Sequence, residues 1–389
     1  MKFDGVGNMY IANQVNNVIR KISASGIIAT IAGSGVAGYM GDGGQATDSK
    51  LYIPDDVAFD ADGNLYIADG GNAVIRKINT LGVITTFAGI IGGGFGGDGG
   101  PAIAAQLNDP FGIVFDNIGN LYFSDGGNYR VRKISTSGII TTVAGTGISG
   151  CSGDGVPATA AQFKIPGYLA ISSTGEIYIP DWECRTVRKI NNLGIISTVA
   201  GGGSETGDGI PATAALLNSP EAVVIDNSGN LYISSYTTCA IRKVSTSGII
   251  STVVGDNTCG YSGDGGPATA AEINQEAICS YVDAGGDLYI ADSKNNRIRK
   301  VTYPSTAIGN VTNTAQAISI YPNPAQNEIT ITAPDKIETI TITNMIGQSV
   351  PTPVISMKER ESILNVASLP GGVYFVSVNE VHVGKMVKE

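Results

Sequence analysis

Residues 63–78 read GNLYIADGGNAVIRKI. Two short runs, 64–69 and 73–79, are rich in β-branched and aromatic side chains and are parted by a Gly-Gly-Asn break, the pattern of paired strands rather than of a helix. Upstream, residues 55–60 (DDVAFD) form a third such run, joined through Asp60-Ala61-Asp62-Gly63-Asn64. Glycine and asparagine there tolerate the positive φ that a tight hairpin demands. Downstream, residues 83–89 (VITTFAG) supply a fourth run. Together the four runs predict one four-stranded antiparallel sheet.

The unit recurs. An Arg-Lys-Ile/Val triplet begins at Arg20, Arg76, Arg132, Arg188, Arg242 and Arg299, so six copies follow one another at spacings of 56, 56, 56, 54 and 57 residues. A lone four-stranded sheet cannot bury both of its faces, whereas six arranged radially can. The expected fold is therefore all-β, a six-bladed β-propeller over residues 1–302. The cores at 63–78, 119–134 (GNLYFSDGGNYRVRKI) and 286–301 (GDLYIADSKNNRIRKV) resemble NHL repeats, and the resemblance runs from Gly7 to Thr302. It departs in the first copy, where Asn13 replaces the aspartate, in the fourth, PDWECRTVRKI at 180–190, and in the fifth, where Ser235 replaces it.

Each repeat exceeds the usual ~40 to 45 residues of a blade because an insert follows the fourth strand. Gly-Asp-Gly occurs at Asp42, Asp98, Asp154, Asp208 and Asp264, and four of these lead into Pro-Ala-x-Ala-Ala. The expectation is a loop and a short helix opened by the proline, with the aspartate capping the turn. Asp69, Asp125, Asp181 and Asp292 end second strands and are expected to accept backbone hydrogen bonds from the turns that follow. The strand count is uneven: the chain opens on the stub Met1 to Asp4 and offers only five fourth strands and five inserts. The expected first and last blades are incomplete, and roughly 50 upstream residues are expected, carrying the missing pieces and an export signal.

After Val301 the pattern stops. Residues 303–317 form a polar linker, and 318–389 carry new strands, at 318–321, 328–333, 339–344, 362–366 and 373–378, that suggest a small β-sandwich. The stretches YPNPAQNEITI at 321–331, TITNMIGQSV at 341–350, LPGGVYFVSV at 369–378 and the terminal GKMVKE resemble the C-terminal sorting domain of type IX secretion cargo. The resemblance implies export through the periplasm to the outer surface or medium of a Bacteroidota-type bacterium, with the secretion machinery as a partner.

Composition narrows the chemistry. A net charge of −10 repels phosphate backbones and anionic lipid, so nucleic acid is a poor partner, and no apolar run is long enough to span a bilayer. The single histidine, His382, lies in the tail, which excludes histidine-ligated zinc and Ser-His-Asp triads from the repeats. Five cysteines without C-x-x-C spacing suit an oxidising destination, and the expected pairs are Cys151 with Cys184 and Cys259 with Cys279, leaving Cys239 over.

In a propeller the second-to-third and fourth-to-first connections emerge on one face. That face is expected to carry the inserts, all five cysteines and the aromatics Tyr39, Phe95, Trp182, Tyr236 and Tyr261. Trp182 and Glu183 stand in the most divergent loop and suit the stacking of a sugar or peptide beside a hydrogen-bond acceptor. Asp55, Glu221 and Glu276 occupy equivalent places where first strands begin, around the channel mouth. No cofactor is required by these residues; calcium could meet an insert carboxylate, but each copy offers one where that ion takes six to eight oxygens. The reading favoured is a binding or scaffold module for an extracellular protein, peptide or glycan. Its alternative is a metal-dependent hydrolase or lyase resembling propeller lactonases.

Overall fold

The computed structural model describes residues 1–274, 277–302, 318–333, 336–344, 350–351, 354–379 and 382–388. They belong to two compact units, Met1–Tyr303 and Pro304–Glu389. The expected linker at 303–317 and the carboxylate Glu276 lie outside the described residues.

The first unit consists of six successive antiparallel sheets whose strands follow chain order, except that Ile210–Pro211 joins the fifth sheet beside its last strand, Ile249–Val254. Blade two runs Pro54–Phe59, Leu65–Asp69, Val74–Ile78 and Ile84–Ala88. Its register pairs Leu65 with Ile78, Ile67 with Arg76 and Asp69 with Val74, so alternate side chains pass to opposite faces. Both faces are covered. Leu65, Ile67 and Ile78 pack with Ile19 of blade one, while Tyr66, Ala68 and Ile75 pack with Ile113, Leu121 and Phe123 of blade three. From blade two to blade six first strands meet first strands, and blade one joins through its second strand, Met9–Asn13, so that these strands form the wall of a central channel. The ring closes where Phe3 of blade one stacks on Tyr281 and Tyr289 of blade six, with ring centroids 4.8 and 4.7 Å apart. Blade one opens on a two-residue strand, Lys2–Phe3, and blade six has three strands among the described residues, Ala277–Val282, Leu288–Asp292 and Arg297–Val301. Blade four, like blade one, opens on a two-residue strand, Ala170–Ile171.

The inserts differ from expectation in how they are held. Four contain a single 3₁₀ turn, Ala46–Asp48, Ala102–Ala104, Ala158–Ala160 and Ala268–Ala270, whereas the insert entering blade five forms a short strand, Ile210–Pro211. Where present, the proline precedes the 3₁₀ turn in extended conformation, as at Pro101 with φ −62° and ψ 130°, and no side chain caps it. The aspartate reaches into the next blade instead. Asp42 meets Arg76 at 2.6 Å, Asp98 meets Arg132 at 2.8 Å, Asp154 meets Arg188 at 2.7 Å, Asp208 meets Arg242 at 3.2 Å and Asp264 meets Arg299 at 2.6 Å. The physical reason is burial: the Arg76 and Arg132 side chains are wholly enclosed, and an enclosed guanidinium must be paired and hydrogen-bonded. Arg132 also donates to the carbonyls of Gln106 and Gly96, at 2.8 and 2.9 Å.

The aspartates that end second strands also act at longer range than expected. Asp69 accepts from Asn72 Nδ2 in the following turn, but its other oxygen accepts the backbone N–H of Tyr52, seventeen residues upstream, at 2.7 Å. Asp125, Asp181 and Asp292 accept the equivalent N–H of Asn108, Lys164 and Asn274. Each fixes the approach to its blade's first strand. By contrast, Asp60 stays local, accepting from the N–H groups of Asp62 and Asn64, from Asn64 Nδ2 and from Tyr66 OH, which is hairpin chemistry.

The second unit holds two sheets, one of Ser319–Tyr321, Glu328–Thr332, Glu361–Asn365 and Val354–Met357, the other of Ile340–Asn344, Gly372–Val378 and His382–Lys388. Ile329, Ile331 and Leu364 from the first sheet share one core with Ile342, Val376, Val378 and Met386 from the second. This is a β-sandwich. No helix among the described residues is long and apolar enough to cross a membrane.

Candidate ligand site at the channel mouth

The residue immediately after each second strand occupies one repeated position on the insert-bearing face: Gln14, Gly70, Gly126, Trp182, Tyr236 and Ser293. The structure turns this position toward the channel mouth. A Cβ at Gly70 would collide with Asp55 Oδ2 and come within 3.2 Å of Asp109 Oδ1, and one at Gly126 would collide with the Phe111 ring. Glycine therefore opens room for two carboxyl groups on the side of blades two and three. Around blades four and five the same position carries aromatic rings, and Trp182 packs on Tyr236 with centroids 4.5 Å apart.

The acidic side has its own electrostatics. Asp55 accepts a hydrogen bond from Gln14 Nε2 of blade one. Burial, and then the charge of Asp109, push its carboxyl up to about 8 despite that bond. Asp109 is raised by the protein packed around it. At neutral pH the Asp55 carboxyl is thus held protonated and can donate a hydrogen bond. Asp109 escaped the sequence reading because it lies two residues before the position that aligns with Asp55. Its backbone has φ 53°, and Ile53 and Ser219 share this conformation at the same bend, with φ 50° and 54°. The signal available in the sequence was a second acid just before the first strand of the neighbouring blade, beside Pro110.

Below the mouth the channel is nearly filled. Tyr168 leaves its own sheet and exchanges backbone hydrogen bonds with blade five, donating to the Glu221 carbonyl at 2.8 Å and accepting from Val223 at 3.1 Å. Burial raises the Tyr168 phenol well above its usual range, and Asp55, Glu221, Asp56 and Asp109 add to the effect. A cavity in the channel, lined by Gln14, Asp55, Tyr168 and Ser293 among others, measures about 90 Å³. Small-molecule pockets are ordinarily at least ~300 Å³, so a ligand larger than a few waters has to sit on the mouth.

The other sequence candidates separate into three groups. Asp55 and Glu221 do stand on first strands beside the channel. Glu183 is exposed next to Trp182 and pairs with Lys164 at 3.4 Å. Tyr39, Phe95 and Tyr261 sit over the interblade arginines Arg76, Arg132 and Arg299, 5.0, 5.1 and 5.2 Å from their ring centroids, while Arg130 and Arg297 stack closer on Phe95 and Tyr261, at 3.7 and 3.8 Å. Tyr39 OH bonds Thr86 at 2.7 Å and Tyr261 OH bonds Asp264 at 2.7 Å. These three aromatics serve the blade junctions.

The cysteine expectation needs one correction. Cys151 and Cys184 are joined, with Cα atoms 5.4 Å apart, in the place where Asn72, Asn128 and Asn295 elsewhere hold an insert carbonyl. Cys259 is joined to Cys239, not to Cys279. The loop bearing Cys239 and the exit from the fourth strand of that blade lie side by side, whereas Cys279 belongs to the first strand of blade six, opposite Ile290 in register, and not to the insert-bearing loops. Among the described residues no group of three His, Cys, Asp or Glu side chains could hold a metal ion.

Comparison with known proteins accords with both units. Residues 319–389 match the family described as secretion system C-terminal sorting domain, and residues 37–94, 92–149 and 201–260 match the teneurin NHL domain. Teneurin-1 of Mus musculus is 33% identical over 232 residues, 53% of this chain but only 8% of its own length. Auxiliary nutrient binding proteins from Bacteroides thetaiotaomicron and Bacteroides ovatus share the fold with TM-scores of 0.55 and 0.54, at 16% and 15% identity. The matches cover 78% and 77% of this chain and 68% of each of those chains. The repeats are thus of NHL type, and the tail is a type IX sorting domain that marks the protein for export to the cell surface or the extracellular space.

Proposed function

We propose that the exported propeller is a binding module that captures a glycan or peptide at its channel mouth, with Trp182 and Tyr236 as the stacking platform and Asp55 and Asp109 as the polar contacts. The observation that carries this reading is the uneven ring of one repeated position, aromatic on blades four and five, glycine on blades two and three where the carboxyls stand. A framework built six times over has no need of such asymmetry for stability. Aromatic faces beside paired carboxyls suit a sugar ring best, because its C–H face stacks while its hydroxyls both donate and accept. The nutrient-binding description of two proteins sharing the fold supports a capture role. A cavity of about 90 Å³ in the channel weighs against the alternative, a lactonase-like reaction centre inside the ring. The test is a glycan and peptide array probed with the full chain and with Trp182→Ala. Selective binding that the substitution abolishes supports the proposal, and equal binding by both proteins rejects it.

A further inference from the structure

The loop after the second strand is held down in two different ways. In blades two, three and six it is a 3₁₀ turn, Gly70–Asn72, Gly126–Asn128 and Ser293–Asn295. The closing asparagine donates to an insert carbonyl, Asn72 to Gly38 at 2.8 Å, Asn128 to Gly94 at 2.7 Å and Asn295 to Gly260 at 2.7 Å. Blades four and five lack this clamp. Cys184 stands where the asparagine would be, three residues after Asp181, and is bonded to Cys151 of the insert entering blade four. In blade five Ser235 replaces the aspartate and Thr238 the asparagine, and the next residue, Cys239, is bonded to Cys259 of the insert leaving that blade.

The two covalent tethers coincide with the two aromatic positions. Trp182 lies two residues before Cys184 and Tyr236 three before Cys239, and their rings pack on each other across the blade boundary. Gly70 and Gly126 lie flat on first-strand side chains, with no room for a Cβ beside Asp55 and Phe111, so packing backs the hydrogen bond there. An aromatic ring cannot lie down in that space. Residues 182–185 and 236–239 accordingly turn without a 3₁₀ segment, and both rings stay half-buried. A loop fixed by its strand at one end and by a disulfide to an insert has fewer conformations to lose when a ligand stacks on it.

We propose that the Cys151–Cys184 and Cys239–Cys259 bridges are positioning devices that hold Trp182 and Tyr236 against each other, so that the platform is ordered before a ligand arrives. The inference rests on the channel-mouth reading, but Trp182, the single tryptophan, reports on the platform without ligand. Cys151→Ser and Cys259→Ser each open one bridge at its exposed end and leave the less exposed cysteine in place. Nanosecond anisotropy of Trp182, recorded well below melting, is expected to show a fast-depolarising fraction at least about twofold larger in both variants. Affinity for an array-selected glycan or peptide is expected to fall at least about threefold in both. The control is Asp98→Ala, which weakens the junction of blades two and three; it should lower the melting temperature and leave both readings at the parent's values. An unchanged Trp182 signal in Cys151→Ser, an equal rise in the control, or undiminished affinity in both cysteine variants overturns the inference. An array that yields no ligand counts against the channel-mouth reading alone, and the Trp182 signal then decides whether the bridges order the platform.

Discussion

Asp98 and Arg132 lie 2.8 Å apart across a blade boundary, one on an insert and the other wholly buried on the third strand of the next blade. Burial pushes the Asp98 carboxyl up, but the Thr142 hydroxyl and the Arg132 guanidinium outweigh it and hold the group below its ordinary range. The same contact recurs at five junctions, so the inserts bind adjacent blades to one another. The aromatics Tyr39, Phe95 and Tyr261 stack on the junction arginines Arg76, Arg132 and Arg299.

The junction predicts a ranking of mutational costs. Asp125→Ala removes the enclosed acceptor shared by Arg132, which keeps Asp98, and by the Asn108 N–H, and should destabilise by about 3 kcal/mol or more, because two hydrogen bonds to one buried carboxylate are lost together. Asp98→Ala removes a partly exposed partner while Arg132 keeps Asp125 and two carbonyls, and should cost about 1–3 kcal/mol. Chemical denaturation of both variants checks the order, and a reversed order refutes the assignment.

Disulfide connectivity is testable directly. A non-reducing peptide map should give linked peptides containing Cys151 with Cys184 and Cys239 with Cys259, and a singly alkylated peptide containing Cys279. A Cys259–Cys279 peptide would contradict the structure. Replacing Cys151 and Cys184 together by serine should lower stability by about 2–4 kcal/mol.

The acid pair makes stability depend on pH. Asp55 is raised from 3.8 to about 8, so between those values the folded state holds a proton that the unfolded state has released. Stability from this group is therefore greatest below about pH 4, falls as pH rises toward 8 and then levels off. Asp69, raised to about 6 chiefly by burial, contributes with the same sign over the lower part of the range. Asp55→Asn should raise the melting temperature at pH 8 and flatten its slope between pH 4 and 8. An unchanged slope would mean that Asp55 is ionised throughout.

Most of the fold was legible because it is repeated: the six Arg-Lys triplets marked the third strands, and the hairpin Asp60-Ala61-Asp62-Gly63-Asn64 acts as its composition suggests. What escaped were contacts made between copies. The aspartate of each insert reads as a local cap because its partner stands 34 or 35 residues further on, although that constant interval, from Asp42 to Arg76 through Asp264 to Arg299, was itself the available clue. Asp109 escaped for a related reason. Alignment compares like positions, whereas a left-handed bend carries this residue beside an unlike one, Asp55. Cys239 escaped because spacing says nothing of which loops are neighbours.

The most direct measurement uses the chain's single tryptophan, Trp182, as its own reporter. Titrating an array-selected glycan or peptide while recording intrinsic emission should give a saturable change, with affinity at least about tenfold weaker in Tyr236→Ala and in Asp109→Asn. Binding detected by an independent method that leaves Trp182 emission unchanged, with both variants as tight as the parent, would contradict a ligand site at the channel mouth.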